Sequence, residues 1–170
     1  AALGCEMKVL SDSRGHSVTA EDVYAFLADH MDWLRAGDFV ALFVSCHGGY
    51  TTICCQNHTT VEVADLFARV SKSCGGRVPV LGFLDKCRGS SQHTGFADQP
   101  GLQVAAKGPA AQPTPTVSGA NVYIAYAATS GTVSAMTSSV GSFWLQVLAS
   151  ASQQWARGHT IASLMSRVRA

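Results

Sequence analysis

Residues 78 to 91, Val-Pro-Val-Leu-Gly-Phe-Leu-Asp-Lys-Cys-Arg-Gly-Ser-Ser, restrict the possible folds of this chain more than any other stretch. Val80, Leu81, Phe83 and Leu84 make a run that is apolar on both faces. That is the pattern of a parallel strand covered by helices on either side. The run stops at Asp85-Lys86-Cys87-Arg88-Gly89. Open α/β sheets carry their sites just past the carboxyl ends of such strands, so Cys87 stands where a reactive thiol would be placed.

The rest of the chain reads as elements around this strand. Leu3, Cys5, Met7 and Val9 alternate with Gly4, Glu6 and Lys8, which predicts a half-buried strand. Ser11 to Gly15 reads as a turn. Thr19 followed by Glu21 and Asp22 predicts a capped helix start. Val23, Phe26, Leu27, His30, Met31 and Leu34 then share one helical face, and Gly37 ends the helix. His30 on that face reads as a packed or edge histidine, not a ligand. Phe39 to Val44 is a second apolar strand, closed by Ser45-Cys46-His47-Gly48-Gly49, and Tyr50 to Gln56 suits a small hairpin arm. Val63, Leu66, Phe67 and Val70 mark a helix expected to start near Thr59 or Thr60.

Residues 90 to 119 change character: Ser, Gly, Ala and Gln with four of the five prolines predict a linker. Structure is expected to resume with a strand at Val122 to Ala127, a helix from about Ser142 to Trp155 and a last helix over Ile161 to Val168. The inward residues of those helices should be Leu145, Leu148 and Ala151, then Ile161, Leu164, Met165 and Val168. Strands alternating with helices define an α/β layered domain. Its parts are 1–89, the linker 90–119, and 120–170.

A net charge of +1 with no basic cluster gives no footprint for nucleic acid. No stretch reaches the roughly 18 apolar residues of a membrane helix. No leader is visible, and the start at Ala1 leaves room for a segment upstream. The six cysteines (5, 46, 54, 55, 74, 87) fall mostly within predicted core strands, without a short-loop disulfide framework. Reduced thiols in a cytoplasmic protein are therefore expected. Cys46, His47, Cys54, Cys55 and His58 form a loose cluster whose spacing does not suit tetrahedral zinc. Neither a metal nor a cofactor is expected.

His47 closes one predicted core strand and Cys87 closes another, 40 residues on. If the strands are parallel neighbours, both side chains emerge at one sheet edge. A free thiol is mostly protonated at neutral pH, and an adjacent imidazole is its simplest activator. Gly48 and Gly49 allow close backbone approach, so the amides of Gly48 and Cys87 could bind an oxyanion. From the pair alone, a buried structural cysteine and a loop histidine account for the residues equally well.

Further residues carry a resemblance. Cys87-Arg88-Gly89 after an apolar strand resembles the nucleophile segment of the caspases, and Asp85 two places earlier is more like metacaspases and paracaspases. Tyr126 to Leu148 resembles the caspase small subunit without a gap, through Tyr126, Gly131, Ser134, Gly141-Ser142, Gln146 and Leu148. Phe143-Trp144 stands where that family usually has Trp-Phe. With Ser-Cys-His-Gly and Lys-Cys-Arg-Gly in order, the resemblance covers nearly the whole chain. It implies a three-layer αβα sandwich around a mostly parallel sheet, and cysteine endopeptidase activity by His47 and Cys87 on peptide or protein substrates. It also implies a homodimer through the strand at 122–127.

Where the chain departs from the caspase pattern, the expected specificity changes. The caspase residues that grip an acidic P1 side chain correspond here to Met136 instead of arginine, Ala135 instead of a bulky aromatic, and Asp85 instead of glutamine, beside Ser134. A carboxylate in that pocket favours Arg or Lys at P1. The family's other pocket arginine falls upstream of Ala1, with a first strand and helix, so the chain reads as a piece or a reduced member. A non-catalytic homologue serving as a binding partner, and an Asp-specific caspase, are the alternatives. The linker separates these outcomes, since relatives often process themselves there. It holds one acidic residue, Asp98, and one basic residue, Lys107. Self-cleavage is expected after Lys107, giving a new amino terminus at Gly108 in the mass spectrum of purified protein. Cleavage after Asp98 that persists in Asp85→Gln and is lost in Cys87→Ala would contradict the basic pocket.

Overall fold

The structure, a computed structural model, describes residues 5–12, 17–89, 121–128, 131–134, 136–137, 141–155 and 158–169. The linker 90–119, with Asp98 and Lys107, lies outside them, as does most of the turn expected at 11–15.

Three parallel strands form the central sheet: β1 (Val40–Ser45), β4 (Val80–Asp85) and β5 (Val122–Tyr126), in the order β1-β4-β5. Their register pairs Val40 with Val80 through Ser45 with Asp85, and Val80 with Val122 through Leu84 with Tyr126. β2 (Thr52–Cys54) and β3 (Thr60–Glu62) make a small antiparallel arm. Two short strands, β6 (Met136–Thr137) and β7 (Gly141–Ser142), pair with each other.

Side-chain alternation on β4 divides the core into two layers. Val80 and Leu84 face α3 (Val63–Ser73), whose Val63, Leu66, Phe67 and Val70 are buried with Leu34 of α2 (Met31–Ala36) and Val40 of β1. Phe83 faces the opposite way, toward Leu148 of α4 (Phe143–Trp155) and Leu164 and Met165 of α5 (Ile161–Arg169). Burial on both faces explains why β4 has no polar residue before Asp85. The α/β class and the αβα layering are those expected.

Gly82 lets α3 approach β4 closely. A Cβ there would come within 2.6 Å of Cε1 of the fully buried Phe67 ring and 3.3 Å of Ile124 Cγ1. Cross-sheet contact on the other face is less complete. Phe43 stacks on Phe83 at 4.7 Å between centroids yet stays 63% exposed, because the α4–α5 layer packs over β4 and β5.

The expected boundaries hold best where a local interaction sets them. Thr19 forms a capping box with Asp22 and starts α1 (Ala20–Asp29). Ser142 Oγ accepts from the Leu145 amide at the head of α4. Four expectations need correction. Residues 5–10 form no strand, and Met7 and Val9 are exposed. Alternation equips a segment to be half-buried, but a neighbouring strand must supply its hydrogen bonds, and no described strand does. The helix from Ala20 to Ala36 is broken at His30, whose ψ of 12° leaves the helical range. Its ring meets the Phe26 carbonyl at 2.7 Å and packs on Phe26 and Trp33, as a packed histidine would. α3 starts at Val63 because Thr60 to Glu62 are already paired with β2, while Thr59 Oγ1 accepts from the Ala20 amide. Finally, the cysteines are not mainly in core strands: only Cys74 is buried, and Cys5 is exposed.

The Gly82–Phe67 contact is testable by equilibrium urea unfolding. Gly82→Ala should cost about 1–3 kcal/mol as an overpacked site. Phe67→Leu, which shortens the obstructing ring, should recover part of that loss in the double variant. Strictly additive losses would show that the ring is not what keeps position 82 a glycine.

Candidate active site

The β1–β4 ladder ends with Ser45 opposite Asp85, and the Cys46 amide donates to the Asp85 carbonyl at 3.2 Å. The described pairing ends there, two residues short of both His47 and Cys87. Both candidate residues therefore leave the sheet at the carboxyl ends of adjacent parallel strands. His47 is exposed and Cys87 half-buried. Among the described residues no hydrogen bond joins the imidazole to the thiol.

After His47 the chain turns back sharply. Gly49 N–H donates to Thr52 O at 3.1 Å and Cys54 N–H donates to His47 O at 2.9 Å, with Gly48 bridged to Ile53 between them. Gly48 is thus in a non-hydrogen-bonded antiparallel pair, which turns its N–H away from the hairpin. Neither that amide nor the Cys87 amide has a backbone acceptor among the described residues. A side chain at Gly48 would come within 2.9 Å of Thr52 O and 2.7 Å of Lys86 Cδ. The glycine follows from this crowding.

Asp85 is 4% exposed, and its carboxylate is held by hydroxyls from both halves of the chain. Ser45 Oγ donates to Oδ2 at 3.2 Å and Ser134 Oγ to Oδ1 at 2.5 Å. No described cation lies within ion-pairing distance of it. The structure thus brings together two of the four expected pocket residues, Asp85 and Ser134. Ala135 and the side chain of Met136 lie outside what is described.

Two cations flanking Cys87 are buried, which the sequence did not announce. Lys86 is 1% exposed and Arg88 4% exposed. A charged pair at a strand end usually marks solvated surface, so composition alone misleads here. The Arg88 guanidinium lies 4.2 Å from the Tyr126 ring centroid and 5.5 Å from that of Tyr50. The Arg88 amide donates to Thr132 O and its carbonyl accepts from Gly131 N–H. Gly89, at φ 156°, completes this crossing, where a Cβ would come within 2.6 Å of Gly131 Cα. The segment carrying Ser134 is thereby fixed beside the end of β4.

Lys86 Nζ donates to Gly49 O at 2.9 Å and to Cys87 O at 3.3 Å. Burial pushes its pKa down, the Arg88 charge adds to this, and the thiols of Cys46, Cys54 and Cys87 pull the other way. Burial, and then the neighbouring Cys55 thiol, push Cys46 up to about 12. Burial likewise raises Cys55 and Cys74. All six cysteines are free thiols. Among the described residues no group of three or more His, Cys, Asp or Glu is placed to hold a metal ion, and no helix is long and apolar enough to cross a membrane.

A family model described as the caspase domain matches residues 1–170. The chain belongs to the caspase-domain family. Caspase-1 from Spodoptera frugiperda has a similar solved structure, at 18% identity and a TM-score of 0.67 over 89% of this chain. That likeness is one of fold, and the present chain spans 56% of the insect one. No curated protein sequence matches the chain.

Thiol chemistry distinguishes the cysteines. Iodoacetamide at neutral pH should modify Cys87 before Cys46, Cys55 and Cys74, which burial keeps protonated. Cys46 should gain reactivity only as the pH climbs toward 12, where its thiolate forms. Peptide mapping that finds Cys46 alkylated as fast as Cys87 at neutral pH would contradict this ordering.

Proposed function

We propose that this caspase-fold protein is a cysteine endopeptidase acting through Cys87 and His47, with a preference for Arg or Lys at P1. The reading is supported by His47 and Cys87 each following, by two residues, the carboxyl end of one of two adjacent parallel strands, in a chain of the caspase-domain family.

In this reading the Cys87 thiol passes its proton to His47 as Sγ attacks the scissile carbonyl. The resulting oxyanion is met by the amides of Gly48 and Cys87, neither of which has a backbone acceptor among the described residues. The tetrahedral intermediate collapses as the C–N bond breaks and His47 gives its proton to the leaving amine. Water, deprotonated by His47, then cleaves the thioester and regenerates the thiol.

The P1 preference rests on Asp85. Its buried carboxylate receives two hydroxyl hydrogen bonds and no cation among the described residues. A guanidinium or ammonium would complete that environment, whereas a substrate carboxylate would be repelled. Charge-assisted hydrogen bonds contribute about 1.5–3 kcal/mol, or roughly 10- to 150-fold in rate ratio.

Self-cleavage in the linker after Lys107 belongs to the same reading. So does pairing of two copies through β5, which ends the sheet among the described residues. Six free thiols support a reducing, cytoplasmic location. A non-catalytic binding role is the second reading, favoured by the missing hydrogen bond between His47 and Cys87. Relaxed geometry of that kind is also common in unliganded enzymes.

A cleavage profile over peptides that differ only at P1 tests the proposal. Arg and Lys should exceed Asp by at least about tenfold, and Asp85→Asn should erase most of the difference. Cys87→Ala and His47→Ala should each lower turnover by about 10⁴-fold or more, with the double variant no worse, because the pair acts as one unit. Dominant cleavage after Asp would transfer the chain to the Asp-specific alternative. Full activity in either single variant would overturn the dyad.

A further inference from the structure

Lys86 occupies a position that the proposed reaction leaves unused. Its side chain is fully enclosed, and its Nζ holds two carbonyls from different parts of the chain, Gly49 on the turn after β1 and Cys87 on the loop after β4. Its stem runs beneath Gly48, within 2.7 Å of where a Cβ there would stand. Tyr126 presents its ring 5.7 Å from the ammonium. No described carboxylate lies within ion-pairing distance of it. A buried ammonium without a counterion is less favourable than an apolar side chain of equal length. Packing alone would therefore be served by methionine.

The two carbonyls adjoin the two candidate oxyanion donors. Gly49 follows the Gly48 amide directly, and Cys87 carries both the held carbonyl and the other amide. We infer that Lys86 is a positioning residue of the oxyanion site, clamping the Gly48 turn to the Cys87 loop so that both amides keep one spacing. This rests on the peptidase reading above. Backbone donors act only when held about 2.7–3.1 Å from the developing oxyanion, so a loosened clamp should slow chemistry more than it weakens substrate binding.

The test uses the full chain and its Lys86→Met, Lys86→Arg and Lys86→Gln variants. Substrate and inhibitors carry the P1 side chain that the cleavage profile selects. A peptide aldehyde adds the Cys87 thiol across its C=O, placing the new oxygen in the oxyanion site. The matching peptide alcohol fills the same subsites without reacting. Lys86→Met should lower kcat and aldehyde affinity about tenfold or more, while KM and alcohol affinity change less than about threefold. Lys86→Arg should restore part of the loss. If Lys86→Met does not fold, as judged by circular dichroism, Lys86→Gln is held to the same ratio of aldehyde to alcohol affinity. Parallel loss of both affinities, or unchanged kcat, would overturn the positioning role. A wild-type protein that forms no aldehyde adduct would instead overturn the peptidase reading, and this role with it.

Discussion

The hydrogen-bonded register between β1 and β4 is the constraint on which the rest depends. Pairing Ser45 with Asp85 fixes an offset of 40 residues, the same offset that separates His47 from Cys87 just beyond the ladder. A slip of one residue would turn every side chain of β1 to the opposite face. Val40 would leave the layer that holds Phe67, Val80 and Leu84. In the proposed reading, the ladder of backbone bonds that secures the fold would also align the candidate dyad. Long-range burial enforces it: α3 covers one face of β4, and α4 with α5 covers the other.

At the end of that ladder the chemistry changes from apolar to charged within one residue. Asp85, Lys86 and Arg88 are all buried, and each is held differently. The carboxylate takes hydroxyls from Ser45 and Ser134, the ammonium takes carbonyls from Gly49 and Cys87, and the guanidinium lies against two tyrosine rings. Three buried charges within four residues are unfavourable for stability alone. Their placement around a half-buried cysteine is what the proposed recognition of a basic P1 side chain and alignment of the oxyanion amides would require. The crossing of Gly89 on Gly131 brings the second half of the chain into this group.

Much of this was legible before any coordinates. β4 announced itself because a strand covered on both faces must be continuously apolar. α1 announced its start because Thr19 and Asp22 satisfy each other's backbone donors locally. The ends of β1 and β4, two residues before His47 and Cys87, were legible as the ends of two apolar runs. What could not be read depends on partners remote in sequence. Residues 5–10 have the alternation of a strand but join none of the described sheets. The start of α3 is displaced because β2 competes for Thr60 to Glu62. The burial of Lys86 and Arg88 needs Gly49, Tyr50 and Tyr126 to close over them, and nothing local in Lys-Cys-Arg shows that.

The central claim is that the register makes Cys87 a nucleophile served by His47. Intact-mass and peptide mapping after treatment with a peptidyl acyloxymethyl ketone measures this directly. The account predicts one adduct per chain, on Cys87, formed far more slowly in His47→Ala. An adduct on another cysteine, or equal labelling rates with and without the His47 imidazole, would contradict it.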